Sequence, residues 1–464
     1  MEVKTNSSLL LAYYGDDFTG STDALEVISR YHLKAVLFIS PPSREQLDKY
    51  PGIQAYGVAG MSRAMDPEEM EKELKPAFRA LKTSGASQVH YKVCSTFDSA
   101  PHIGSIGKAI DIGKEVFGSR YISLLVAAPA LGRYGVFGNL FARVGTGKEG
   151  PVYRLDRHPS MSRHPITPMG ESDLRLHLKK QTDARIGLVD ILAAEEGVDQ
   201  INLQLERNLA DQAEVVLFDA LDTQHMESVG AIMDAASEGE VHFSVGSSGV
   251  EMALGQYWNK TGKTNPNGHR WPDPGKSTPL LVVSGSCSPV TEAQINWAFR
   301  HDFESVALDT LEVVRGDAEN EIQRCLQLTA AQLLKGRSVV IHAAIGRDDP
   351  RLVETKQQLA ASDKKDSEVT SLTSVLLGKA LGKITKGLAE KNLFKRLVIA
   401  GGDTSSIMAR TLGIEAVEMI ASIVPGAPLC KALAPNSPLD GLEINFKGGQ
   451  VGGDDYFGRL LEGK

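Results

Sequence analysis

Two α/β domains in series, each a mostly parallel sheet with helices on both faces and with a ligand cleft between them, is the fold class this sequence predicts. Three observations carry the prediction. Short, near-continuous apolar runs alternate with helix-period segments along most of the chain, as strands buried on both faces do when helices cross between them. The length, 464 residues, exceeds what a single core ordinarily serves. Residues 256–278, QYWNKTGKTNPNGHRWPDPGKST, are rich in Pro, Gly, Asn and Lys, the composition of a linker. The expected division is a first domain at 1–255, a linker at 256–278 and a second domain at 279–464.

In the first domain the strand candidates are SLLLAYY, KAVLFIS, IQAYGVAG, QVHYKV, YISLLVAA, AEVVLFDA and VHFSVG. Helix-period segments such as DPEEMEKELKPAFRAL (66–81), GSIGKAIDIGKEVF and ESVGAIMDAASE separate them. Residues 132–170 break the rhythm with turns and scattered glycines, and read as an insertion reaching over the sheet edge. The second series runs PLLVVSGSCS, a helix from Thr291, ESVALDT, SVVIHAAIG, a long helix over 368–390, RLVIAGGDTS, AVEMI and LEINFKGG.

Composition narrows the function. Hydrophobic residues make up 42% and charged residues 23%, and 50 basic against 58 acidic residues leave a net charge of −8 without any long basic run. That balance argues against nucleic acid or an anionic membrane as partner. The four cysteines are scattered with no Cys-x-x-Cys pair, so neither a disulfide framework nor a zinc site is expected. MEVKTNSS lacks the pattern of a signal peptide, and runs such as YISLLVAAPAL are too short to span a bilayer. A soluble protein of the reducing cytoplasm is the expectation.

Ligands of open parallel sheets bind beyond the carboxyl ends of the strands. In the first domain that rule collects Asp16, Asp17 and Thr19, then Arg63, then Lys92, Ser95, Thr96, Asp98 and Ser99, and finally Arg133. Carboxylates accept from hydroxyls while Lys and Arg take an acid group, so the set suits a small polyhydroxylated acid. Thr19, Ser21 and Ser99 read equally well as helix N-caps. The adjacent pair Asp16–Asp17 asks for more, because one cap would suffice. The His-rich loop from Arg157 to His164, kinked by Pro159 and Pro165, reads as anion-contacting or structural instead of metal-binding.

In the second domain three strand exits are glycine-rich. Ser284, Gly285 and Ser286 lie in the first, Gly401, Gly402, Asp403 and Thr404 in the second, and Gly448, Gly449, Gly452 and Gly453 in the third. Glycines let backbone N–H groups approach phosphate oxygens, and helix dipoles favour the negative charge. Three together suggest a nucleotide-phosphate cradle. PGKST (274–278) imitates the end of a P-loop, but Arg270 stands where that motif needs glycine.

GDDFTGSTD, KVCSTFDSAPHIGSIG, PITPMGESDL, SGSCSPVTEAQI, GGDTSS and PGAPLC occur in this order, and together they resemble the four-carbon acid-sugar kinase family. The resemblance implies a sugar-acid-binding first domain, a nucleotide-binding second domain, ATP with Mg2+ held mainly through its phosphates, and phosphorylation of a terminal hydroxyl in carbohydrate catabolism. It places Asp16, Asp17, Arg63, Lys92, Ser95, Thr96 and Asp98 on the substrate side, and Ser286, the run Gly401 to Thr404 and the glycines near Gly449 on ATP. Asp403 stands where the family commonly has Glu, and KGGQVGG and RHPSMSRHPITPM depart from its usual motifs. Those departures bring 3-oxo-isoapionate in beside threonate, erythronate and 3-oxo-tetronate as substrate. Asp17 is the expected base, with Asp98 second and Lys92 or Arg63 holding the acid or the phosphoryl group. Two rivals stand: a Schiff-base lyase or aldolase using Lys92, and a non-catalytic sugar-acid sensor. The sequence leaves the oligomeric state open, a homodimer being one option.

Overall fold

The computed structural model describes residues 9–144, 150–164, 166–264, 271–360 and 366–464. Pro165 and the middle of the expected linker, Arg270 included, lie outside them. The chain divides into two compact units, Met1–His269 and Arg270–Lys464.

The strands, in chain order, are β1 (Leu11–Gly15), β2 (Ala35–Phe38), β3 (Ala55–Ala59), β4 (Gln88–Lys92), β5 (Ile122–Leu125), β6 (Arg133–Val136), β7 (Asn139–Arg143), β8 (Val152–Arg154), β9 (Ile186–Val189), β10 (Val215–Phe218) and β11 (His242–Gly246). In the second unit they are β12 (Leu280–Ser284), β13 (Glu304–Ala307), β14 (Val339–His342), β15 (Arg396–Ala400), β16 (Ala416–Val424), β17 (Ala427–Leu433) and β18 (Glu443–Lys447).

The first unit orders its main sheet β2-β3-β1-β4-β11-β5-β10-β9, with every neighbouring pair parallel. Helices pack on it through apolar faces. Pro67–Thr83 starts on a capping box between Asp66 and Glu69 and buries Met70, Leu74, Ala77, Phe78 and Leu81. The Phe78 ring meets Tyr14, Tyr91 and Phe243 at centroid distances of 6.3, 5.7 and 5.3 Å. Such aromatic clusters contribute about 0.5–1.5 kcal/mol per pair beyond the area they bury.

The region 132–170 holds a second, antiparallel sheet, β6-β7-β8. It is tied to the exit of β10, where the Gly138 N–H donates to Asp219 Oδ1 at 3.1 Å and the Gly135 N–H to the Ala220 carbonyl at 3.0 Å.

The second unit orders its strands β13-β14-β12-β15-β18-β17-β16, parallel through β18 and antiparallel from there on. Leu280, Val282, Ile295, Val340, Val398, Leu429, Tyr456 and Phe457 share its core.

Four local expectations change. Residues 256–261, placed in the linker by composition, continue the helix Gly249–Thr261, whose Trp258 is buried. The helix expected from Thr291 begins at Pro289, because Ser288 caps it and proline suits a first helical position. The half-buried edge strand β9 and the antiparallel strand β17 add two strands that the reading of apolar runs does not include.

Candidate active site

β1 lies between β3 and β4, with Gly15 level with Ala59 on one side and Lys92 on the other. Three strand exits therefore converge. The Asp16 N–H donates to the Lys92 carbonyl at 2.8 Å, and the Arg63 N–H to the Asp16 carbonyl at 3.0 Å. Arg63 grips Asp16 with both arms, Nη2 to Oδ1 at 2.7 Å and Nε to Oδ2 at 3.0 Å, and also reaches Asp17 Oδ1 at 3.0 Å. Asp17 caps the helix Phe18–Arg30. Its Oδ1 accepts from the Gly20 N–H at 2.8 Å and its Oδ2 from Thr19 Oγ1 at 2.9 Å.

Exposure separates the two acids. The Asp16 side chain is 4% exposed and pinned by Arg63, whereas Asp17 is 22% exposed. Asp17 is thus the carboxylate a ligand can reach, and Asp16 the group that orients Arg63. Burial raises the Asp16 carboxyl, against the pull of Arg63. Burial works the same way on Asp17, but Arg63, Lys92 and the bonds from Thr19 and Gly20 outweigh it and hold Asp17 below the usual carboxylate range.

Lys92 is buried, with Nζ 3.5 Å from Asp23 Oδ2. Burial disfavours its charge, yet Asp23, Asp17 and Asp16 raise it above the ordinary lysine value. A methyl group added at Gly20 would fall on Asp17 Oδ1 and 2.7 Å from Lys92 Nζ, so only glycine lets the helix start this close to both. Sequence reasoning passed over Asp23. Its place four residues after Thr19, on the same helix face, is the signal that could have found it.

The β4 exit continues through Cys94 to Asp98. Thr96 Oγ1 donates to Asp98 Oδ1 at 2.8 Å, and Phe97 between them is fully buried at φ +58, a strained conformation for a non-glycine residue. Ser95 is half-buried beside them. Asp98, at the end of this segment, bonds to Thr96, while Lys92 faces Asp23, Asp17 and Asp16. Of the residues read as caps, neither Thr19 nor Ser21 is the cap, and Ser99 bonds to His177 Nε2 at 2.9 Å. Arg133 spends Nη1 on the carbonyls of Leu131, Gly132 and Arg143. In the Arg157–His164 loop both imidazoles serve the backbone: His158 Nδ1 accepts from Ser160 and Met161, and His164 Nδ1 from Thr167.

In the second unit β12, β15 and β18 are neighbours, and their exits gather the glycines. The Gly285 N–H donates to the Ala400 carbonyl at 3.1 Å and the Gly401 N–H to the Lys447 carbonyl at 2.9 Å. A side chain at Gly285 would fall on Thr404 Oγ1, one at Gly401 (φ +121) would lie 3.3 Å from the Ser286 nitrogen, and one at Gly449 would lie 3.1 Å from Ser286 Oγ. The helix Gly402–Thr411, carrying Asp403 in its first turn, has no side-chain cap, whereas Ser288 caps Pro289–Phe299. Ser284 is fully buried and accepts from the Ser286 N–H at 3.3 Å, holding the turn. Gly448 and Gly449 stay at the exit. The following loop, through Val451 and Gly453, is pinned by Gln294 Nε2 at 2.9 and 3.0 Å.

No helix is long and apolar enough to cross a membrane, and no cluster of metal-ligating side chains occurs, among the described residues. Residues 11–254 match the family model of a sugar-binding N-terminal domain, and residues 281–457 that of a nucleotide-binding C-terminal domain. A 3-oxo-isoapionate kinase of Paraburkholderia graminis is 41% identical over 99% of this chain and 95% of its own. A 3-oxo-tetronate kinase of Pectobacterium atrosepticum is 28% identical over 97% and 98%. A solved structure from Salmonella typhimurium LT2, described provisionally as a tRNA synthase, superposes with TM-score 0.74 at 25% identity, covering 97% of this chain and 98% of that one. The chain belongs to the two-domain family with a sugar-binding N-terminal and a nucleotide-binding C-terminal domain, and it is a phosphotransferase of that family.

Proposed function

We propose that this protein is an ATP-dependent kinase for the terminal hydroxyl of a small sugar acid in carbohydrate breakdown, with 3-oxo-isoapionate the first candidate and 3-oxo-tetronate the second. The observation that carries the reading is the Asp17 carboxylate, open to a ligand and fixed by Arg63, Thr19 and Gly20 beside a charged Lys92. Identity of 41% to the 3-oxo-isoapionate kinase, against 28% to a 3-oxo-tetronate kinase, favours the branched substrate.

The second unit suits nucleotide phosphates: glycine at 285, 401 and 449 lets Thr404 and Ser286 pack directly against the strand exits, beside a helix start without a side-chain cap. Ser286, Gly401, Gly402, Asp403, Thr404, Gly448 and Gly449 are the residues that would hold them. When bound, ATP with Mg2+ supplies the transferable phosphoryl group, the metal sitting chiefly on phosphate oxygens and water. Asp17 takes the proton of the acceptor hydroxyl as its oxygen forms the new O–P bond and the O–P bond to ADP breaks. A carboxylate of lowered pKa suits this late proton transfer, since in phosphoryl transfer positioning and charge neutralisation dominate. Lys92 and Arg63 neutralise the acid group or the phosphoryl in flight, with Thr96 and Asp98 framing the substrate's other hydroxyls.

Both rivals are weaker. A Schiff-base nucleophile must be a neutral amine, whereas three carboxylates hold Lys92 protonated. A non-catalytic sugar-acid sensor predicts stabilisation by ligand with no ADP produced, and the relatives named as kinases over nearly the whole chain count against it. The test is ADP release with 3-oxo-isoapionate, 3-oxo-tetronates, threonate and erythronate, the phosphorylated position read by NMR. ADP release with none of them would overturn the reading.

A further inference from the structure

Lys447 ends β18, one of the three strands with glycine-rich exits, and is wholly buried. Its Nζ has one hydrogen-bond partner, Thr291 Oγ1 at 2.9 Å, and lies 5.5 Å above the Tyr456 ring. Two of its three ammonium protons therefore have no acceptor, and it has no ion pair, among the described residues. The charged side chains on the adjoining segments, Glu292, Asp403, Asp454 and Asp455, form no ion pair with it. Tyr456 turns its hydroxyl away, to Asn445 Oδ1 at 2.8 Å.

The hydroxyls around Lys447 are all engaged. Thr291 Oγ1 donates to the Gly449 carbonyl at 3.0 Å and accepts from Ser286 Oγ at 3.1 Å, and Ser288 Oγ donates to that same carbonyl. Lys447 thus stands one hydroxyl away from Ser286 and Gly449, which line the place proposed for phosphate. An unpaired buried ammonium is costly, and burial alone lowers this one to about 7. An anion placed beside it would favour its charged form.

We propose that Lys447 is the counter-charge of the nucleotide phosphates, a positioning residue that gains its proton as the polyphosphate of ADP or ATP settles on the glycine exits. Nucleotide binding then carries proton uptake from solvent. The inference rests on the nucleotide-site reading above. It acts through the Thr291 hydroxyl and through space, where low dielectric strengthens the attraction.

Calorimetry with MgADP, at pH 8 in two buffers of different ionisation enthalpy, reads the proton directly. Uptake approaching about one proton per bound ADP is expected at pH 8, fading below pH 6 where Lys447 is already charged. Lys447→Met should abolish the uptake and weaken ADP about 10- to 100-fold at pH 6.5, while Lys447→Arg keeps the affinity and loses the pH dependence. Binding by the native protein with no proton uptake would overturn the inference and leave the nucleotide site standing, even if the Met variant fails to fold. Undiminished affinity in a folded Lys447→Met protein would overturn it too. No MgADP binding at all would remove the nucleotide reading, and this inference with it.

Discussion

Lys92 and Lys447 occupy the same station in the two units. Each is the last residue of a largely buried strand, QVHYK in one and EINFK in the other. Each is withdrawn from solvent. Their surroundings drive them in opposite directions. Asp23, Asp17 and Asp16 raise Lys92 above its ordinary value, whereas Lys447, with a hydroxyl and an aromatic ring for company, falls to about 7. Burial costs both ions alike, so the carboxylates decide which one keeps its charge unaided. One exit holds a set of fixed charges, proposed above to meet a polar acid. The other leaves its buried lysine without a carboxylate partner, and is proposed above to receive an anion.

The largest expected effect comes from neutralising the reachable acid. Asp17→Asn keeps an oxygen for the Gly20 N–H and so spares the helix cap, yet removes the proposed base. Turnover should fall by about 100-fold or more with MgADP binding unchanged, and near-native kcat would break the assignment of Asp17. Next comes the arginine. Arg63→Ala leaves Asp16 buried without its partner and should cost about 3 kcal/mol in denaturant unfolding. An unchanged midpoint would mean that Asp16 simply protonates.

The paired lysines then offer the sharpest contrast. Lys92→Met strips a counter-charge from Asp17 and Asp23 and should lower the melting temperature. Lys447→Met removes an unpaired charge and should raise it at pH 7 without nucleotide. Shifts of the same sign in both variants would contradict the opposed environments. The smallest effect is a pH slope. Lys447 is depressed in the folded state while its unfolded value is about 10.4. Between about pH 7 and pH 10 the unfolded chain therefore binds the extra proton, and this lysine makes stability rise with pH. Lys447→Met should flatten that component in melts from pH 7 to pH 9.

Much of this was legible beforehand. Buried parallel strands announce themselves as apolar runs because both faces are covered, and residues just past them are the natural ligand positions. That logic reached Asp16, Asp17, Arg63, Lys92 and the three glycine exits. It did not reach Asp23, which sits inside a helix and not at an exit, or Lys447, which looks from the sequence like any lysine at a strand end. Nor did it reach strands β9 and β17: β9 is a four-residue edge strand, and Lys431 interrupts the apolar run of β17.

The sequence by itself determined the alternation of strands and helices, the two α/β units and the kinds of group at each exit, since burial and turn chemistry are local patterns. Only the tertiary structure decided which exits are neighbours. Strand order places β1 between β3 and β4, and β15 between β12 and β18, and no local pattern encodes that order. It is this adjacency that divides Asp16 from Asp17 in role, gives Lys92 three carboxylates and gives Lys447 none.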